Sequence, residues 1–207
     1  MSELDNIFKD NNQLFIHQKK EWVEIFTGLE TKNQYEILGS DGKVAGHLAE
    51  IGSGLLHLLA RLILKAHRSL ELIVWNAEQK QILKIKRPFY WFFSDMTVSD
   101  HNDKVYGHVY RRFSLLFKKY DLMNAQGEIF ATIKTPIWSL WTFKVLDKSL
   151  KEICTISKKW GGVLKEVFTD SDKFQVDFQS TPEELRPIIF AAAITIDLDY
   201  FEDNNRQ

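Results

Sequence analysis

The sequence predicts a mainly β protein, an antiparallel barrel. Three observations carry that expectation. Short runs of alternating apolar residues are broken by turn clusters at regular intervals, with no long helix between them. A stretch of such strands occurs twice in succession. One strongly apolar helix near the C-terminus is too short to cross a membrane and reads as core.

The repeat runs over residues 70–113 and again over 120–160. Ile85-Lys-Arg-Pro88-Phe-Tyr90 corresponds to Ile133-Lys-Thr-Pro136-Ile-Trp138, and Met96-Thr-Val98 to Phe143-Lys-Val145. Val105 to Phe113 corresponds to Glu152 to Trp160, which places Cys154 in a strand. The period is roughly 48 residues, inside the range of repeated supersecondary units. A fainter copy spans Tyr35 to Glu50.

Turns are expected at Ser40-Asp41-Gly42, Asn76-Ala-Glu78, Asp100 to Asp103, Asn124 to Gly127 and Asp147 to Ser149. Gly42 and Gly127 supply the positive φ of a tight turn. Pro88 and Pro136 fall between hairpins, where no ladder N–H is needed. The aromatic runs Phe89 to Phe93 and Trp138 to Phe143 are expected to pack mostly in the core and at the barrel end.

Two segments read as helix. In Ser53 to His67, Leu55, Leu58, Leu59 and Leu62 recur at helical spacing, opposite a narrow basic face of His57, Arg61 and Lys65. This pattern suits an interfacial membrane helix, with Leu55, Leu58, Leu59 and Leu62 as docking residues, and equally a helix packed on the barrel wall. The second helix is expected over Pro182 to Tyr200, with Thr181 as N-cap and Glu183 and Glu184 at the positive end of its dipole. Its uncharged run, Pro187 to Ile196, covers only about 15 Å, half a hydrocarbon core. Ala191, Ala192 and Ala193 suit a crowded barrel axis.

The chain has 207 residues and a formal net charge of −1, ample for one core and without bulk attraction to nucleic acid. A single cysteine excludes an internal disulfide framework and fits a reducing, cytoplasmic setting. Residues 1–12 and 203–207 are expected to be flexible flanks of one domain over 13–202. No nucleophile elbow, phosphate-binding glycine loop or zinc spacing occurs, so bond-breaking chemistry is not expected.

The segment Ile156-Ser-Lys-Lys-Trp160-Gly-Gly-Val-Leu-Lys-Glu-Val-Phe168-Thr-Asp-Ser-Asp-Lys-Phe174, with the later Ile196-Asp-Leu-Asp-Tyr-Phe-Glu202, resembles the C-terminal part of the phospholipid scramblase family. Glu24-Ile-Phe-Thr-Gly-Leu-Glu-Thr-Lys-Asn33-Gln-Tyr35 resembles the family's opening, and Arg87-Pro88-Phe89 with Met96-Thr-Val98 its middle. The resemblance implies a Tubby-like fold: a closed barrel of about 12 strands around a buried C-terminal helix. The proline-rich N-terminus and cysteine clusters of eukaryotic members are absent, so a cysteine-borne lipid anchor is not expected.

The resemblance makes phospholipids and an anionic membrane surface the expected partners, at the membrane periphery. Basic residues Arg111, Arg112, Lys118, Lys119, Lys158 and Lys159 are the candidate headgroup ligands, forming one patch if the strand ends share a rim. Calcium is the candidate cofactor, through Asp170, Asp172 and Asp177. Counted as an EF-hand loop from Asp170, the stretch has Gln175 where the turn glycine belongs and Thr181 where the bidentate glutamate belongs, so any site would be weak. Two readings stand side by side: a scramblase-like lipid-binding protein that assists phospholipid movement between leaflets, or a Tubby-like interaction module without lipid transport. A carrier for a small apolar ligand is less favoured, because a helix inside the barrel leaves little cavity.

Overall fold

The computed structural model describes residues 6–19, 34–51, 69–139, 141–159 and 173–200. A short helix α1 (Asn6–Lys9) precedes β1 (Gln13–Lys19), β2 (Gln34–Leu38), β3 (Val44–Ile51) and β4 (Leu70–Asn76). Then come β5 (Gln81–Arg87), β6 (Asp95–Ser99), β7 (Val105–Arg112) and β8 (Phe117–Asn124). β9 (Ile129–Pro136), β10 (Thr142–Asp147), β11 (Glu152–Lys159) and β12 (Lys173–Asp177) complete the strands. A 3-10 turn (Glu183–Leu185) leads into α2 (Arg186–Tyr200).

The strands follow one another around a closed antiparallel barrel, and β1 shuts it by pairing with both β2 and β12. Closure leaves none of these twelve strands with an edge open to another chain. Alternation puts Leu14, Ile37, Leu48, Leu72, Ile85, Val98, Val109, Leu122, Ile133, Val145, Ile156 and Val176 inside, all essentially without solvent exposure. They pack on α2, which is buried from Arg186 to Leu198. The helix leans on β6, β7 and β8. Gly107 in β7 makes that approach possible: a Cβ there would lie 2.6 Å from Ile188 Cδ1 and 2.1 Å from the Met123 carbonyl.

Five hairpin turns share one end of the barrel. In four of them an Asn or Asp at the first position closes the turn, its N–H donating to the carbonyl four residues on: Asn76, Asp100, Asn124 and Asp147. Each side chain also accepts from backbone N–H groups inside its turn, as Asp100 does from Asn102 at 2.8 Å and Lys104 at 2.9 Å. A positive φ follows at Gln79, Asp103, Gly127 and Leu150, and at Gly42 in the fifth turn. Only two of the five use glycine, because the Asx clamp holds the others in the left-handed region. These four turns recur at half the sequence period. The two segments aligned above occupy β4–β7 and β8–β11, two hairpins each.

Two expectations change. Residues 6–12 are not a free flank: Ile7 and Phe8 are buried, and Phe8 meets Phe190 edge-on with centroids 5.7 Å apart. The C-terminal α-helix starts at Arg186, not Pro182, and Thr181 does not cap it. The Thr181 hydroxyl donates instead to the Ile153 carbonyl at 2.7 Å. Arg186 takes over that end. Its buried guanidinium donates to the carbonyls of Phe8 (2.8 Å), Asn11 (3.1 Å) and Thr181 (3.3 Å) and to Asn12 Oδ1 (3.2 Å). One cation thus ties α1, the chain entering β1 and the start of α2 together.

Candidate functional site at the loop end of the barrel

The end of the barrel away from the hairpin turns carries the C-terminus of α2 and the loops 88–94, 113–116 and 137–141. The chain also leaves β1, β3 and β11 and returns to β2, β4 and β12 at this end. Because side chains alternate, the doublets Arg111-Arg112 and Lys118-Lys119 are each split between the inside and the outside of the barrel.

The inward members are Arg87, Arg111, Lys118 and Lys158, on β5, β7, β8 and β11. Arg111 and Lys118 meet the last turn of α2, where the helix dipole has its negative end beside Asp197 and Asp199. Asp199 Oδ2 accepts from the Tyr120 hydroxyl at 2.8 Å and lies 3.6 Å from Arg111 Nη1. Asp197 Oδ2 accepts from the Tyr35 hydroxyl at 2.7 Å. Lys118 Nζ donates to the Ser139 carbonyl at 3.2 Å and stands 4.5 Å above the Tyr200 ring. Arg87 and Lys158 rest over Tyr90 and Phe174, at 5.1 and 5.5 Å.

Burial sets the protonation of this cluster. It raises the Asp199 carboxyl above its ordinary range, against the opposing pull of Arg111 and the Tyr120 hydroxyl. It also holds the Tyr120 phenol well above its usual value, with Asp199 acting in the same direction. Burial lowers Lys118. These are the marks of a closed structural network that anchors the helix end.

The outward members form a different arrangement. Arg112, Lys119 and Lys134 stand in register on three adjacent strands, Arg112 opposite Lys119 and Lys119 opposite Lys134. Arg112 Nε donates to Asp121 Oδ2 at 2.7 Å. Among the described residues no carboxylate lies within ion-pair distance of Lys119 or Lys134. Lys134 Nζ sits 4.4 Å from the Phe117 ring centroid. Like charges directly opposite across a sheet repel, so the row costs stability unless an anion meets it. Of the six expected headgroup ligands, Arg112 and Lys119 join this row, whereas Arg111 and Lys118 meet the helix end and Lys158 rests inside over Phe174. Lys159 closes β11, and its side chain lies outside the described residues.

The aromatic runs depart from expectation. Residues 88–94 form a loop, not a continuing strand, so alternation does not bury half of them. Trp91 and Phe92 are 75% and 83% exposed, and Trp138 is 71% exposed. Only Phe143, back in β10, is in the core. Phe113, Leu115 and Leu116 are exposed beside them on the same rim, with the Phe113 ring 6.5 Å from that of Phe93.

Asp177 lies at the hairpin-turn end of β12, where its carboxylate accepts from Gln13 Nε2 at 3.2 Å and from the Gln179 N–H at 3.3 Å. Asp170 and Asp172 lie outside the described residues, as do Ser53 to His67 with Leu55, Leu58, Leu59 and Leu62. Among the described residues no three metal-ligating side chains cluster, and no helix is long and apolar enough to cross a membrane. Cys154 is buried in β11, and burial pushes its thiol pKa up. It offers no reactive thiolate.

A closed antiparallel barrel of 12 strands filled by its own C-terminal helix is the Tubby-like fold. The solved structure of an Arabidopsis thaliana protein has this fold: it matches with a TM-score of 0.51 at 13% identity, over 94% of this chain and 92% of that one. The scramblase family model matches residues 2–203, so this chain belongs to the scramblase family. Among its relatives, a phospholipid scramblase family protein of Schizosaccharomyces pombe is 26% identical over 91% of this chain and 59% of its own length. Human phospholipid scramblase 1 is 26% identical over 95% of this chain and 65% of its own. Altered inheritance rate of mitochondria protein 25 of Saccharomyces cerevisiae is 25% identical over 94% of this chain and 72% of its own. The chain thus spans about two thirds or less of the length of the first two.

Proposed function

We propose that this scramblase-family chain binds phospholipid headgroups at an anionic membrane surface, peripherally, as a step toward lipid movement between leaflets. The observation that carries the reading is the Arg112–Lys119–Lys134 row. Two of its three cations have no carboxylate at ion-pair distance among the described residues, and all three stand on the outer wall at the loop end. Phosphate oxygens would relieve their mutual repulsion and accept their N–H groups. The names of the relatives favour phospholipid over other polyanions. The reading is one of binding, with no bond made or broken by the protein.

The test is sedimentation with phosphatidylserine-containing and with pure phosphatidylcholine vesicles, at low and high salt. Binding should favour the anionic vesicles and weaken as the screening length falls below about 10 Å. At about 1 kcal/mol per lysine near the surface, Lys119→Gln with Lys134→Gln should lower affinity for anionic vesicles roughly 30-fold. The melting temperature should hold or rise slightly, since two like charges no longer face each other. Unchanged binding by the double variant would sink the headgroup reading and favour an interaction module without a lipid role.

A further inference from the structure

The two ends of the barrel differ in chemistry more than a packed core requires. Each of the five hairpin turns carries at least one charged residue. The loops 88–94, 113–116 and 137–141 carry none. They present Trp91, Phe92, Phe113, Leu115 and Trp138 with 71–83% of each side chain's reference surface exposed. Phe89, Phe93, Leu116, Ile137 and Trp141 lie beside them at 40–58%. At the hairpin-turn end the exposed large apolar side chains are the scattered Val44, Ile129 and Leu150. Ten apolar side chains gathered on one rim form a patch that water would not select on its own account.

We propose that these three loops insert into the interfacial layer of a phospholipid bilayer, with the barrel axis standing across the membrane plane and the end of α2 facing the lipid. This rests on the lipid-binding reading above and adds to it the face and the depth. The occupant follows from the layering of the chemistry. The loop tips are apolar and rich in Trp and Phe, the residues that settle between hydrocarbon and headgroups. Immediately behind them, at the strand ends, stands the Arg112–Lys119–Lys134 row. The loop 113–116 shows the order most compactly: two arginines, then Phe113-Ser-Leu-Leu-Phe117, then two lysines. Apolar tips with cations one or two residues behind match hydrocarbon with phosphate above it, over the 5–10 Å depth typical of interfacial insertion.

The two readings have separate signatures. Headgroup attraction fades with salt, whereas insertion does not. Phe92→Asp, Leu115→Asp and Trp138→Asp change exposed positions and should leave the melting temperature unaltered. Each should lower the salt-resistant part of vesicle binding on the order of tenfold, and the triple variant should abolish it. Lys119→Gln with Lys134→Gln should instead remove the salt-sensitive part. A protein retaining Trp138 as its single tryptophan should be quenched by vesicles with brominated acyl chains. One retaining only Trp75, half-buried near the hairpin turns, should not. Equal quenching of the two, or a triple variant that binds like wild type at high salt, would overturn insertion while leaving the lysine result to decide the headgroup reading. Salt-resistant binding that survives the lysine changes but not the loop changes would uphold insertion even if the headgroup reading fell. A triple variant that loses self-association and keeps its vesicle binding would assign the patch to a second copy of the chain, and insertion would be wrong.

Discussion

Replacing Tyr120 by Phe removes a single oxygen from the barrel mouth and tests how the helix end is held. The hydroxyl donates to Asp199 Oδ2 at 2.8 Å, and the side chain of Asp199 is only 1% exposed, so neither group has water as a substitute partner. A buried hydrogen bond to a carboxylate contributes about 1.5–3 kcal/mol. For a domain of this length that corresponds to a fall in melting temperature of roughly 3–12 °C. A cycle of Tyr120→Phe, Asp199→Asn and the double variant, by urea denaturation, isolates the pair. The double variant should cost less than the sum of the singles by about 1 kcal/mol or more. The pH dependence supplies a second check. Burial holds the Asp199 carboxyl above its ordinary range, so the folded protein binds that proton more tightly than the unfolded chain does. Its contribution is therefore full below about pH 4 and lost as pH rises through the raised folded value. Wild type should lose stability relative to Asp199→Asn as pH climbs above about 4. Additive single variants, or a wild-type advantage that grows with pH, would refute the account and make Arg111 the dominant partner.

Three further outcomes are expected. Arg186→Met should destabilise by about 3 kcal/mol or more, because several buried carbonyls at the hairpin-turn end lose their donor; a change under 1 kcal/mol in denaturation would mean that water replaces the guanidinium. Gly107→Ala should cost about 1–3 kcal/mol through forced separation of β7 from α2 and β8, seen as a lower melting temperature, whereas a neutral result would place β7 farther from the helix. Calcium titration by calorimetry should give millimolar affinity or none, since both oxygens of Asp177 are already hydrogen-bonded; a submicromolar site would contradict this.

The barrel and its core helix were legible because both depend on local patterns. Alternation, the turns at Gly42 and Gly127, and the shortness of the run Pro187 to Ile196 are visible one residue after another. The Asx-clamped turns were legible at Asn76, Asp100 and Asp147, although the positive φ at Gln79 and Leu150 was not: neither residue type advertises it. The site was harder. The doublets Arg111-Arg112 and Lys118-Lys119 were visible, but which member faces outward depends on strand register. Lys134 enters the cation row only through its pairing with Lys119 across the β8–β9 hairpin. The exposed aromatics were misjudged because alternation was expected to bury half of Phe89 to Phe93, whereas residues 88–94 form a loop. The run between the two basic doublets held the missing signal: apolar residues with no charge, bracketed by cations, in a segment too short to be a strand.

Because α2 is the interior of the barrel, the order in which the chain is made matters. When residue 185 has been joined, the strands of the wall exist, yet the surface they must close upon has not been synthesised. Inward rows such as Leu72, Val74, Leu122 and Ile133 then have only one another to cover them. Closure of β1 on β12 joins the two ends of the chain across the largest sequence separation in the sheet, which is the slowest kind of contact to form. A nascent chain of this protein therefore waits, wall first and core last, until its final helix arrives. Interrupting translation shortly before Arg186 would release an open, apolar-faced sheet prone to aggregate, whereas an interruption after Tyr200 would leave the barrel filled.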